Sequence, residues 1–167
     1  MVRVYIPATL AMLQRLVADQ SMHALSGTAF AVTPTLRESY AEGDDDELAE
    51  VALREAAMAS LRLLSAEGPS TELPLRRAVL VADVEGATIR PDLDDAVVRL
   101  AGPIGMGDVI AAYLDNAAAE PAVEAAIEVV DLADFGDEDA ELTVGDAQDH
   151  DLAWYATQEL PFLLDLL

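Results

Sequence analysis

Three predicted strands follow one another in the middle of the chain, with no helix between them that could carry a crossover. They occupy residues 76–84, 96–104 and 108–116, although the alanines and leucine of the third would also fit a helix. Parallel neighbours need a crossover of a dozen or more residues, whereas antiparallel neighbours need only short loops. The spacing therefore predicts antiparallel pairing, with the stretch GPIGMG (residues 102–107) forming a hairpin turn.

Helical and strand patterns alternate on both sides of this central group. Strands are predicted at residues 2–8, 27–33 and 152–159, and helices at residues 9–19, 34–43, 44–68, from about 118, and at 160–167. Thr9 and the acids at the start of residues 44–68 are typical of helix N-termini. Residues 69–74 are predicted to be a mobile loop. The pattern indicates one α+β domain over residues 1–167, with helices packed on a mostly antiparallel or mixed sheet.

Length and composition agree with one globular domain. The chain has 167 residues, of which 53% are apolar and 25% charged, and it has no cysteine. Disulfide frameworks and thiolate chemistry are therefore excluded. No stretch is apolar enough for a transmembrane helix. The N-terminal segment does not resemble a signal peptide, and we expect a cytoplasmic protein.

The charge is both large and uneven. The formal net charge is −23, all nine cations are arginines, and residues 100–167 carry 16 Asp and Glu with no Lys or Arg. A field of this sign repels phosphates and anionic lipid headgroups, so we expect no direct binding to nucleic acid or membranes. It attracts basic protein surfaces and divalent cations. The composition can equally reflect a GC-rich genome or a salt-adapted cytoplasm, in which acidity serves solubility.

An acidic loop is predicted at residues 134–151, around one histidine, His150. Besides Asp134, its carboxylates are Asp137, Glu138, Asp139, Glu141, Asp146, Asp149 and Asp151. Gly136 and Gly145 mark turns, and repulsion among the acids favours an exposed, extended segment unless a cation or an arginine neutralises them. A solvated loop is the simplest interpretation, and a docking surface for a basic protein is the next.

The predicted binding surface combines these acids with the aromatic residues that follow them. Its residues are Asp137, Glu138, Asp139, Asp146, Asp149, Asp151, Trp154 and Tyr155. Trp154 is the only tryptophan, and on a strand it faces away from Tyr155. It is therefore either a core residue or an exposed interface anchor. The apolar end, LPFLLDLL, is expected to dock on the chain's own core, in a homo-oligomer contact or on a partner.

The triplet Asp149, His150 and Asp151 is the candidate metal site. Carboxylates and imidazole suit Mg²⁺, Mn²⁺ or Zn²⁺, so a divalent metal is possible and no other cofactor is predicted. On a strand, Asp149 and Asp151 share one face and His150 lies on the other, and a hydrolytic site needs further ligands. The alternative is a partly exposed histidine between solvated acids. No catalytic residue is otherwise assigned.

Several stretches resemble a known family. They are MVRVYIPAT, HALSGTAFAVTP, RPDLDDAVVR, DNAAAEPAV and GDAQDHDLAWYATQELPFLL. Together they are similar to a family of uncharacterised actinobacterial proteins of about this length, over nearly the whole chain. The resemblance implies a cytoplasmic actinobacterial protein and a GC-rich origin of the charge. It implies no activity and no site residues.

Three functions from different classes stay open. Lysine chemistry and the phosphate-binding P-loop are excluded, because the chain has no lysine. The preferred function is a non-catalytic, acidic interaction or regulatory protein that presents residues 134–151 to a basic partner. The alternatives are a small metal-dependent, hydrolase-like enzyme using Asp149, His150 and Asp151, and a small-molecule binding domain with its pocket between sheet and helices.

Overall fold

Seven strands form one antiparallel sheet in the computed structural model, which describes residues 1–40, 42–68 and 72–167. The strands of the chain are β1 (Val2–Ala8), β2 (Ser21–Met22), β3 (Thr28–Phe30), β4 (Ala78–Val84), β5 (Thr88–Ile89), β6 (Val97–Arg99), β7 (Ile104–Gly105), β8 (Val109–Leu114) and β9 (Ala153–Ala156). The order in the large sheet is β5-β6-β3-β1-β4-β8-β9, and each neighbouring pair is antiparallel. The predicted α+β class is confirmed.

Six α-helices accompany the strands in the described residues. They are α1 (Leu10–Asp19), α2 (Pro34–Ser39), α3 (Asp45–Glu67), α4 (Glu120–Asp134), α5 (Glu138–Gln148) and α6 (Leu160–Asp165). The predicted starts of α1 and α3 are confirmed, and each has a capping side chain. The Thr9 hydroxyl accepts from the Met12 amide at 3.3 Å, and the Asp44 carboxylate from the Glu47 amide at 2.9 Å.

The sheet is covered on both faces, and the alternation along β1 shows how. Val4 and Ile6 point into a core shared with α1 and α6. Tyr5, between them, points to the opposite face and packs on the core formed with α3. A third apolar cluster joins α3 to α4 and α5, away from the sheet. The α4–α5 hairpin is therefore attached to the domain mainly through α3.

The predicted hairpin turn at residues 102–107 is wrong. The strand before it, β6, pairs with β3, whereas the strand after it, β8, pairs with β4. Within the stretch, Ile104 is buried in the main core and β7 pairs with β2 in a separate two-stranded sheet. The segment between β6 and β8 therefore runs from the strand beside β3 to the strand beside β4, and the burial of Ile104 holds this segment against the core. The first and third central strands, β4 and β8, pair with each other in antiparallel fashion, whereas the expected pairing of successive strands does not occur.

The predicted acidic loop is also wrong, because most of residues 134–151 is helical. Gly136 has a φ of 91°, a left-handed conformation that suits glycine, and the Asp137 amide donates to the Leu132 carbonyl at 3.0 Å. This turn ends α4 and places Asp137 to begin α5, where its carboxylate accepts from the Ala140 amide at 2.9 Å. The acids that follow face solvent near the positive end of the helix, which offsets their mutual repulsion.

Two further expectations concern whole segments. Of the loop predicted at residues 69–74, residues 69–71 lie outside the described part of the chain. Among the described residues, no helix has both the length and the apolar character needed to cross a membrane.

Candidate interaction surface

The outer face of α5 is acidic with an apolar centre. Ala140, Val144 and Ala147 are buried at i, i+4 and i+7, so the opposite side of the helix faces solvent. That side carries Leu142, whose exposed fraction is 71%. The exposed acids at helical neighbour positions around Leu142 are Glu138, Asp139, Asp146 and Asp149. We call these five residues the α5 face.

The turn before α5 adds a second exposed apolar side chain. Phe135, which ends α4, is 91% exposed. Leu132 is also exposed and lies three residues before Phe135, a spacing that places the two side chains next to each other. Large apolar side chains beside charged ones are the composition of an interface core with a polar rim.

The predicted binding acids divide by role. Asp137 caps α5, so its carboxylate is engaged with the helix backbone. Glu138 and Asp139 lie in the first turn, where negative charge also stabilises the helix. Asp146 lies beyond the first turn and is exposed, with no such helical role. Asp151 is exposed after the helix has ended.

The Asp149–Asp151 triplet lies at the C-terminal end of α5 and not on a strand. The Asp149 amide donates to the Gly145 carbonyl at 3.0 Å, and the His150 amide to the Ala147 carbonyl at 3.1 Å. The arrangement expected for a strand, with the two aspartates on one face, does not apply. In the described part of the chain, no group of three or more His, Cys, Asp or Glu side chains could hold a metal ion.

A buried ion pair anchors this end of α5 to the sheet. Arg77 is 3% exposed, and its guanidinium donates two hydrogen bonds to Asp115, at 2.9 and 2.8 Å. The same guanidinium donates to the backbone carbonyl of His150 at 2.8 Å. Asp115 is also buried and accepts from the Arg77 amide at 2.8 Å. The charged pair therefore fixes where α5 ends and where β9 begins.

Trp154 and Tyr155 face opposite sides of β9, as a strand requires. Tyr155 is half-buried and packs against the main core, which holds the strand in place. Trp154 is 58% exposed and pairs across the sheet with Tyr113. Trp154 is therefore not a core residue, and it has the exposure of an interface anchor.

A groove of about 720 Å³ lies between α3 and the end of α5. Its charged lining includes Arg54, Glu55, Arg62 and Asp149. Burial raises the pKa of Glu55, repulsion from a neighbouring carboxylate adds to the rise, and Arg62 opposes it. Arg62 makes a bidentate ion pair with Asp134, at 3.0 and 2.9 Å, and these hydrogen bonds lower the Asp134 pKa.

Sequence reasoning did not identify Leu142 and Phe135 as exposed apolar residues. The signal for Leu142 was available, because it is out of phase with Ala140, Val144 and Ala147 once α5 is recognised as a helix. Gly136 signals that a helix ends at Phe135, but it does not by itself predict that Phe135 is exposed. The exposure of Leu142 could be predicted only after α5 was recognised as a helix.

Comparison with protein families gives one match, to a family of unknown function, DUF6912, over residues 2–164. The chain belongs to this family. The expected membership of an uncharacterised family is thereby confirmed, and its actinobacterial origin stays a prediction. Searches among curated proteins and among solved structures gave no significant match.

Proposed function

We propose that this chain is a non-catalytic, cytoplasmic interaction protein that presents the α5 face to a basic protein partner. The observation that carries the proposal is Leu142, which is 71% exposed at the centre of an acidic helical face. A partner that buries this leucine would gain apolar contact there, and a few well-packed residues at the centre of an interface supply most of its binding free energy. The surrounding acids select a partner of opposite charge.

The proposal specifies the chemistry of the partner's surface. A complementary surface has an apolar socket for Leu142 within a ring of arginines or lysines. Residues 100–167 contain no Lys or Arg, so α5 and the segments that flank it carry acidic charges, and the nearby arginines are Arg54 and Arg62 in the groove beside α3. Association should therefore be fast at low ionic strength and should slow steeply as salt screens the exposed charges. The same field opposes direct binding to nucleic acid and anionic membranes.

The test uses two variants with the same change in charge. The first, Glu138→Gln/Asp139→Asn/Asp146→Asn, removes three of the four negative charges of the α5 face. The second, Asp46→Asn/Glu47→Gln/Glu50→Gln, neutralises three acids at the start of α3. Binding of an amphipathic helical peptide, with arginines flanking a leucine stripe, is measured by fluorescence anisotropy against a scrambled peptide of the same composition.

The expected result is selective. The amphipathic peptide should bind the wild type more tightly than its scramble does, and the α5 variant should lose that preference while the α3 variant keeps it. Leu142→Ser, which changes no charge, should also remove the preference. Equal weakening by the two charge variants, with no effect of Leu142→Ser, would mean only general attraction to an acidic protein.

The groove between α3 and α5 favours a second candidate function, binding of a small polar molecule. Its volume of about 720 Å³ falls in the range of small-ligand sites, and its charged side chains would select a polar ligand. A thermal-shift screen of small charged compounds, repeated with Arg54→Gln, tests this candidate. A compound whose stabilisation disappears in that variant would support it. Divalent metal binding by the Asp149–Asp151 triplet stays a prediction.

A further inference from the structure

One free edge of the sheet is formed by β9, a strand of four residues. Strand β9 is the last in the sheet order and pairs on its inner side with β8. Alternate residues of such an edge strand point their N–H and C=O groups outward, away from the sheet. In the part of the chain that the structure describes, no strand pairs with this outer side. Edges of this kind are templates for another strand.

Little in the sequence of β9 blocks the addition of a strand. Natural edge strands are kept from pairing by proline, charged side chains or very short length. The opposite edge follows this rule, because β5 has two residues and is followed directly by Arg90 and Pro91. The four residues of β9, AWYA, include neither a charge nor a proline. Of the two edges of the sheet, β9 is the accessible one.

Trp154 supplies a side-chain contact at the same edge. It is 58% exposed, while Tyr155 packs inward and holds the strand against the core. A strand added beside β9 would place its own side chains directly opposite Trp154, where aromatic cross-strand pairs are favourable. Backbone hydrogen bonds would supply affinity, and the indole would supply selectivity.

Charge selects the occupant of the edge. Asp149 and Asp151 precede β9 and Glu159 follows it, and all three are exposed. A second copy of this chain would bring the same carboxylates to the same place, together with a second net charge of −23. Like-charge contacts of this kind oppose association, whereas arginine or lysine side chains on an extended segment would meet acids at both ends of the strand.

We propose that β9 accepts an extended, basic segment of a partner protein as an eighth strand, anchored on Trp154. This contact goes beyond the α5 face and does not depend on it, because it uses the strand backbone and not the helix surface. The partner is recognised by an alternation of basic and β-branched residues. Such a segment puts one row of side chains against Trp154 and leaves the other row facing the opposite side of the sheet.

The test uses a synthetic peptide of alternating arginine and valine and two protein variants. Trp154 is the only tryptophan, so its emission reports on this edge alone. Binding should shift the emission to shorter wavelength and slow amide hydrogen exchange at alternate residues of β9. The same peptide with alternate backbone nitrogens methylated keeps its charge but cannot pair, and its binding should be at least roughly tenfold weaker.

The variants separate this proposal from the function proposed above. Trp154→Ala should weaken peptide binding roughly tenfold, as loss of an aromatic anchor does. Glu138→Gln/Asp139→Asn/Asp146→Asn, which removes charge from the α5 face, should leave exchange protection in β9 intact. A peptide that binds equally well with and without methylation would overturn the proposal, and so would protection on α5 instead of β9. Dimerisation of the free chain through β9, abolished by Trp154→Ala, would assign the edge to a second copy.

Discussion

Removing the Asp115 carboxylate should destabilise the protein more than the loss of any exposed ion pair. Asp115→Ala deletes the acceptor of three hydrogen bonds from Arg77, at 2.8, 2.9 and 2.8 Å. The guanidinium is then left buried, with the His150 carbonyl as its remaining partner among these contacts. Water cannot reach a buried charge unless the fold opens. The loss of unfolding free energy therefore includes the cost of an unpaired buried charge in addition to the lost hydrogen bonds.

The magnitude follows from the burial of both partners. Breaking a buried pair by removing one side costs about 3–5 kcal/mol. Proteins of this size unfold with a total free energy of about 5–15 kcal/mol, so the variant should lose a large share of its stability. The melting temperature should fall by roughly 6–20 °C, since each kcal/mol corresponds to about 2–4 °C here. Asp83→Ala, which breaks the exposed pair with Arg3, should cost less than about 1 kcal/mol.

Urea unfolding followed by circular dichroism measures both changes. Circular dichroism is preferred because Trp154 is already 58% exposed in the folded state, which limits its fluorescence change on unfolding. Arg77→Leu/Asp115→Leu removes both charges and should recover at least half of the loss caused by Asp115→Ala. If Asp115→Ala costs no more than Asp83→Ala, the Arg77 charge is not stranded on removal of its partner and the reasoning is refuted.

Three other perturbations have expected outcomes. Glu55→Gln should stabilise the protein near pH 7 and have no effect in acid. The pKa of Glu55 is raised in the folded state, so ionising this carboxyl lowers the free energy of unfolding as the pH rises. Urea unfolding at pH 7 and in acid measures the difference. Added NaCl should raise the melting temperature, because it screens repulsion within a net charge of −23. If the Asp149–Asp151 triplet binds a divalent metal, one of Mg²⁺, Mn²⁺, Ca²⁺ or Zn²⁺ should raise the melting temperature of the wild type but not that of Asp149→Asn/Asp151→Asn. Equal shifts in the two proteins would contradict the predicted metal site.

The parts of the fold that were predictable are those with local signals. The helix start at Thr9 has a capping side chain, and α3 combines an Asp44 cap with an acidic first turn. The apolar strand β4 is recognisable by itself. By contrast, the partner of β6 could not be predicted, because pairing with β3 depends on contacts across some 70 residues of sequence. The hairpin was predicted from local glycines, and the burial of Ile104 overrode them.

The error at α5 has a different cause. Its buried stripe consists of small residues, Ala140, Val144 and Ala147, which give a weak periodic signal beside a dense run of acids. Repulsion among the acids suggested an extended loop, but that argument treated the segment in isolation. The capping carboxylate of Asp137 and the cluster shared with α3 and α4 supply what the segment alone lacks. The position of the α5 face could not be derived without this packing.

The acids of α5 serve two purposes, which decides how the proposed function can be examined. Glu138 and Asp139 stabilise the first turn and also belong to the exposed face. If these two charges are removed, weaker binding can result either from a less stable α5 helix or from the loss of charge at the surface. The α3 variant resolves this, because α3 also begins after a capping aspartate and carries acids in its first turn. Most of the helical contribution is common to both variants, so a difference in binding between them reports on the surface that α5 presents.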